Sequence, residues 1–185
     1  MAFSPIPSLN AGEGTALPPA YLEARWYAAY TCANHEKSVR DQLEERSIES
    51  FLPVYETVRR WKDRRVHLQL PLFPGYVFVH LALRDRLRVL LTPSVVRLVG
   101  FGGQPAALPD QEIEPLRHGL TREMRIEPHP YLKVGRRARV RSGPLQGLEG
   151  ILVRKKNRSR FVISLDLLMR SAAVEIGVAE LEPAR

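Results

Sequence analysis

The sequence has a single cysteine, Cys32, among 185 residues. One thiol excludes an internal disulfide framework and any zinc cluster built from several cysteines. No run approaches the roughly 18 apolar residues that a membrane-spanning helix needs. Residues 1–24 contain no Lys or Arg and lack the basic and apolar regions of a signal peptide. A Walker loop, an HExxH pair, a GxSxG elbow and a glycine-rich dinucleotide turn are all missing. The five histidines (35, 67, 80, 118, 129) lack metal-ligand spacing, and Cys32 with a distant histidine makes a weak nucleophile. These absences argue against an enzyme, a metal site, a cofactor or a membrane anchor. The expectation is a soluble, cytoplasmic, monomeric protein.

What the chain has in excess is positive charge. Its 28 Lys and Arg outnumber 20 Asp and Glu, a net charge of +8 that suggests a polyanionic partner. At 44% hydrophobic and 26% charged residues, it has the composition of a folded protein and not of a disordered one. Residues 1–24 are proline-rich and poor in apolar material, and are expected to be a disordered leader. Residues 25–120 carry 14 basic and 11 acidic residues, a balance of +3. Residues 131–185 carry 12 and 5, a balance of +7. Between them, residues 121–130 (TREMRIEPHP) have mixed charges and two prolines, which suits a linker. The predicted organisation is therefore leader 1–24, a first domain 25–120, linker 121–130 and a small basic module 131–182.

Patterning within the first domain predicts an α+β fold, an antiparallel sheet with flanking helices. Trp26–Thr31 reads as a buried strand. Asn34 is a candidate N-cap, with Glu36 in the first turn, for an amphipathic helix over about 35–46 carrying Val39 and Leu43. Ile48–Arg60 is extended and interrupted by Pro53, and Val66, Leu68 and Leu70 alternate as a returning strand. Pro74-Gly75 precedes the β-rich Tyr76–Leu81, followed by a short helix over Asp85–Leu91. A strand over Val95–Gly100 and a helix over Asp110–Leu120 complete the domain. In the basic module, short alternating segments separated by Gly143-Pro144, Gly147, Gly150 and Asn157 predict about five strands in a small β-barrel.

Between the two extended segments, Arg59–Arg65 (RRWKDRR) sets five basic charges around an indole. Such a hairpin tip can reach phosphates through Arg60, Lys62 and Arg64 and stack Trp61 on an unpaired base. It also reads as a plain solvated loop. In the basic module, Arg154–Arg160 is a second cationic turn, suited either to RNA contact or to guarding a strand edge.

Val134–Gly150 (VGRRARVRSGPLQGLEG) has glycines at 135, 143, 147 and 150 with Pro144 after the second, and it resembles the KOW motif of elongation factors and ribosomal proteins. Arg25-Trp26-Tyr27, Phe51-Leu52-Pro53, Pro71–Val79 (PLFPGYVFV), Val95–Gly100 and Pro109–Ile113 resemble the NusG N-terminal (NGN) domain. The chain is thus similar to the NusG family of transcription elongation factors, with an NGN domain joined to an SH3-like KOW barrel. Arg60–Arg64 ahead of Pro71–Tyr76 is most similar to the specialised UpxY and RfaH-like antiterminator paralogues.

The resemblance implies that the NGN domain binds RNA polymerase on its clamp helices, bridges the cleft, and suppresses pausing or termination. Matching motif positions puts Tyr30, Phe73, Tyr76 and Phe78 on the polymerase-binding face, although the rings at 76 and 78 also read as core. His35, Lys37 and Arg40 fall where specialised paralogues read non-template DNA. Ser38, Gln42 and Glu45 depart from the RfaH pattern there, as Arg84–Arg88 does at the opposing polymerase contact. Leu167, Leu168, Met169 and Arg170 stand at the KOW partner loop, implying Rho, a ribosomal protein or RNA as its partner, though a buried strand end fits them as well. A housekeeping factor acting with Rho or the ribosome, and a ribosome-associated KOW protein that binds RNA, are the alternatives.

Overall fold

The first strand carries apolar side chains at successive positions, not alternate ones, because the fold covers it from both sides. The computed structural model describes residues 19–61, 64–120, 126–132, 135–155, 158–176 and 180–184. After a helical turn at Pro19–Leu22 (α1) comes β1 (Arg25–Thr31), then α2 (Glu36–Glu45) and β2 (Glu49–Phe51). The strands β3 (Val54–Trp61) and β4 (Arg64–Pro71) precede β5 (Tyr76–Leu81), α3 (Arg86–Leu90) and β6 (Val95–Leu98). Two short strands, β7 (Gly100–Phe101) and β8 (Gln104–Pro105), lead into α4 (Asp110–Gly119).

A four-stranded antiparallel sheet, β2-β5-β1-β6, forms the centre of the first domain. One face presents Tyr27, Ala29, Val77, Val79 and Leu81 to Val39 and Leu43 of α2 and Val89 of α3. The other presents Trp26, Ala28 and Phe78 to Leu72, Phe73 and the α4 residues Ile113 and Leu116. Period-two alternation therefore runs through β1 on both faces at once. Among the described residues β3 and β4 pair only with each other, as a two-stranded ribbon.

At its N-terminal end α4 carries Asp110 and Glu112, and at its C-terminal end Arg117 and His118, which suits the helix dipole. It is fastened to the sheet by a charged clasp. The Trp26 indole N–H donates to Glu114 Oε1 at 2.7 Å, and the Arg117 guanidinium lies 5.4 Å from the Trp26 ring centroid. Arg117 also pairs with Glu49 at 2.7 Å, and Glu49 with His80 Nδ1 at 2.8 Å.

Two expected boundaries move. Pro19–Leu22, assigned to the leader, forms α1, where the half-buried Tyr21 packs beside the core and Arg86 lies 5.5 Å from its ring. Ile126–His129, assigned to the linker, forms strand β9 and pairs with β13 (Arg170–Glu175). β10 (Arg136–Val140), β11 (Glu149–Lys155), β12 (Arg158–Leu165) and β14 (Leu181–Pro183) complete a six-stranded antiparallel sheet in the order β14-β10-β11-β12-β13-β9. The expected barrel is thus, among the described residues, an antiparallel sheet without a β9–β14 pairing. Its core of Val140, Leu145, Leu148, Phe161, Ile163 and Leu165 is continuous with that beneath α4. The join is close: a Cβ added to Gly119 would lie 2.3 Å from the Pro144 carbonyl oxygen. Among the described residues no helix is long and apolar enough to cross a membrane.

Candidate functional site

Tyr30 and Tyr76 face each other across β1 and β5, with ring centroids 5.5 Å apart. Arg97 of β6 stands beside Tyr30 in register, its guanidinium 5.5 Å from the ring centroid. Tyr76, Tyr30 and Arg97 thus form one row across three strands, at the end of the sheet face that α4 does not cover. Tyr30 is 37% exposed, whereas Phe73 and Phe78 are 1% and 0% exposed. The phenylalanines meet edge to face at 5.9 Å, and Phe51 stacks on Phe78 at 6.0 Å. Of the four aromatics assigned to one exposed face, Tyr30 is exposed, Tyr76 is half-buried against the core, and the two phenylalanines are buried. A sheet face has room for only one layer of side chains before the next element, and Leu72-Phe73 is that element.

The turn before Tyr76 holds this row in place. Gly75 has φ +85°, a conformation that side-chained residues rarely adopt, and a Cβ there would come 3.2 Å from Tyr30 Cε2. Its carbonyl accepts from Thr31 N–H at 2.9 Å. Its own N–H donates to Glu36 Oε1 at 2.8 Å. Glu36, only 5% exposed, is a buried acceptor for the turn. It shares the inward face of α2 with Val39 and Leu43, and that spacing was the signal available in sequence. Asn34 does not cap α2: it sits at φ 63°, and His35 occupies the cap position without a side-chain cap bond. Asparagine serves either purpose, since its short amide also tolerates the left-handed region.

The residues assigned to DNA divide between two elements. His35 donates through Nδ1 to the Ala33 carbonyl at 2.9 Å, and Lys37 is exposed. Arg40 is held by Asp41 at 2.6 Å and Glu44 at 3.8 Å, so its charge is largely neutralised by its own helix. Arg60 and Arg64 are exposed near the end of the β3–β4 ribbon, and Trp61 pairs through its backbone with Arg64. Lys62 lies outside the described residues.

A family model described as transcription termination factor nusG matches residues 24–117. The chain belongs to the NusG family. It is 28% identical over 171 residues to the transcription termination/antitermination protein NusG of Lactococcus lactis, covering 85% of this chain and 91% of that one. Against NusG of Escherichia coli K12 the identity is 26% over 176 residues, covering 86% and 96%. A solved structure on domain interaction in Thermotoga maritima NusG is similar with a TM-score of 0.52 at 23% identity, covering 89% of this chain and 99% of that one. These spans take the NusG likeness through the second module as well as the first.

In that module, Leu168 is 5% exposed and belongs to the core, whereas Met169 is 65% exposed at φ 50°. The expectation of adjacent apolar residues at one sticky tip is corrected: the 3₁₀ turn Asp166–Leu168 folds Leu168 inward, Leu167 is half-buried, and Arg170 opens β13 exposed. Between this turn and the start of α4 runs a cleft of about 610 Å³, lined among others by Glu112, Arg137, Arg139 and Asp166. Burial there, and then the Asp166 charge, push Glu112 up to about 6.

Proposed function

We propose that this NusG-family chain is a transcription elongation and antitermination factor that binds RNA polymerase through the open end of its first sheet. Tyr30 and Tyr76 make the contact, Arg97 flanks it, and Phe73 and Phe78 act from beneath by fixing the height of the two phenols. The observation that carries this reading is the contacting pair of exposed Tyr30 and half-buried Tyr76 beside a buried phenylalanine pair, inside the span that matches the family model. Large amphipathic rings on a rigid floor are what interface hot spots are made of. Bridging the polymerase cleft from this face would oppose clamp opening and so suppress pausing or termination.

Nucleic acid is the second partner in this reading, met by the ribbon arginines and by Lys37, with Arg40 contributing least. The second module recruits a further partner, Rho, a ribosomal protein or RNA, with Met169 and Arg170 as its reachable residues. The charged ribbon ahead of Pro71–Val79 supports a specialised antiterminator over the general factor.

The test is capture of core RNA polymerase by the tagged full chain. Tyr30→Ala with Tyr76→Ala should weaken capture at least tenfold while the circular dichroism spectrum stays native. A folded double variant that captures polymerase as well as its parent overturns the proposal. Capture of ribosomal subunits in place of polymerase would favour the RNA-binding alternative.

A further inference from the structure

Beyond β6 the chain leaves the first sheet for a short arm. Val99 N–H donates to the Ala28 carbonyl at 2.8 Å, and β7 then pairs with β8 as a hairpin. The chain returns where Leu108 N–H donates to the Trp26 carbonyl at 2.8 Å. Both ends of the arm are therefore tied to β1, and the hairpin is an excursion from its edge.

The arm is stiff. Gly102 and Gly103 have φ +55° and +78°, and a two-residue loop with positive φ at both positions matches the twist of the strands it joins. Gly100 lies so close to the returning strand that a Cβ there would run into the Gln104 carbonyl. Pro105, opposite Gly100, has its φ fixed by its ring. On this frame stands Phe101, paired through its backbone with Gln104. Its side chain is 73% exposed, more than any other large hydrophobic among the described residues.

A lone exposed apolar residue is ordinary on a protein surface. A phenyl ring on a rigid hairpin is different, because it loses little backbone freedom on binding and so makes an effective interface anchor. The surrounding sequence identifies the class of partner. Residues 98–109 (LVGFGGQPAALP) hold no Asp, Glu, Lys, Arg or His, in a chain of which 26% is charged. Nucleic acid is bound through cations that neutralise phosphates, and this arm offers none. A charge-free patch with an aromatic centre matches the core of a protein interface.

The position of the arm identifies which protein. Phe101 is four residues from Arg97, at most about 14 Å of extended chain. A standard interface covers about 800 Å² on each partner, a patch roughly 30 Å across. Phe101 and the row of Tyr76, Tyr30 and Arg97 therefore fall within one footprint. We propose that the β7–β8 hairpin is a second anchor for RNA polymerase, inserting the Phe101 ring into an apolar socket beside the segment that meets Tyr30 and Tyr76. This rests on the polymerase contact proposed above and adds to it a residue outside the aromatic run Pro71–Val79.

The experiment is capture of purified core RNA polymerase by the tagged full chain carrying Phe101→Ala, Phe101→Leu or Phe101→Asp. Phe101→Ala should weaken capture at least about tenfold and Phe101→Asp further, while Phe101→Leu recovers most of it. Because the ring is exposed, Phe101→Ala should keep Tm within about 2 °C of the parent. Capture equal to the parent's overturns the proposal, and so does a larger fall in Tm, which would make the ring part of the fold. A photo-reactive benzoylphenylalanine at position 101 should cross-link to a polymerase subunit. A cross-link to DNA of the elongation complex, or to a second copy of this chain, in its place overturns the assignment. The two readings separate. If Tyr30→Ala/Tyr76→Ala captures polymerase normally and Phe101→Ala does not, the tyrosine row fails and the hairpin anchor stands. The reverse result keeps the row and removes the anchor.

Discussion

Removing the Glu36 carboxyl group tests whether a buried helix residue sets the geometry of the aromatic row. Glu36 is 5% exposed and accepts the Gly75 N–H at 2.8 Å. Glu36→Ala leaves that N–H without a partner in a place water does not reach, which costs about 1–3 kcal/mol. For a chain of this length each kcal/mol lowers Tm by about 2–4 °C, so a loss near 2 kcal/mol lowers Tm by about 4–8 °C. Glu36→Gln retains an oxygen at the same reach and should recover most of that loss. The functional effect follows from the turn: Gly75 accepts from Thr31 and lies against the Tyr30 ring, so a loosened turn moves both tyrosines. Thermal melts followed by circular dichroism, with polymerase capture measured well below Tm, read both effects. If Ala and Gln variants melt alike, or the Ala variant melts within about 1 °C of the parent, the acceptor is not holding the turn.

Gly75→Ala should destabilise by at least about 1 kcal/mol, because its positive φ penalises a Cβ, and should reduce polymerase capture by displacing Tyr30; a chemical melt reads the first effect. Burial pushes the Glu114 carboxyl up, but the Trp26 N–H, Arg117 and His118 outweigh it and hold it below its ordinary value. A value lowered by folding stabilises the clasp above the unfolded value, and that contribution is lost as pH falls through the folded one. In a Trp61→Phe background, Trp26 fluorescence should therefore show an acid transition that Glu114→Gln removes. Glu112 has the opposite sign, raised to about 6 by burial and Asp166. Its contribution is complete below the unfolded value and lost as pH rises through about 6, with Glu149, Arg137 and Arg139 lining the same cleft. Small-angle scattering should show α4 and the second module more closely associated near pH 5 than near pH 7, and Glu112→Gln should abolish the difference.

How much of this was legible in the sequence depended on whether a residue type serves one purpose or two. Tyr76–Leu81 was readable to the residue, because Pro74-Gly75 bounds a run that suits a strand and little else. Ile126–His129 reads as linker in sequence because proline marks linkers and edge strands alike. Pro128 lies opposite Ala172 in β9, the last strand of its sheet, where a missing N–H faces no neighbour. The leucines at 167 and 168 look equivalent in sequence, and only the 3₁₀ turn separates buried Leu168 from half-buried Leu167. The aromatic motif was legible as a motif, but alternation assigns Tyr76 and Phe78 to the same face without saying where the cover stops. Glu36 reads in sequence as a first-turn dipole residue and Arg97 as an ordinary strand cation, because the turn that one holds and the ring that the other flanks are contacts distant in sequence.

Where the cover stops is itself set by chemistry. At one end of the sheet face, Trp26, His80 and Glu49 meet Glu114 and Arg117, and each polar group there finds a partner on α4 or a neighbouring strand. At the other end, Tyr76 packs against the core and meets Tyr30 through a ring contact at 5.5 Å, and Arg97 lies 5.5 Å from the Tyr30 ring. An indole buried on an apolar face needs an acceptor, and Glu114 ties α4 to that end. A phenol has an apolar body and a polar tip and tolerates water, so the tyrosine end remains stable without a helix over it. One strand pair, β1 and β5, therefore carries a closed end and an open end two residues from buried Phe78. Two exchanges would test this division: Tyr30→Phe, which removes a group that water reaches, should leave Tm within about 2 °C, whereas Glu114→Ala, which takes the acceptor from the buried Trp26 indole, should lower it.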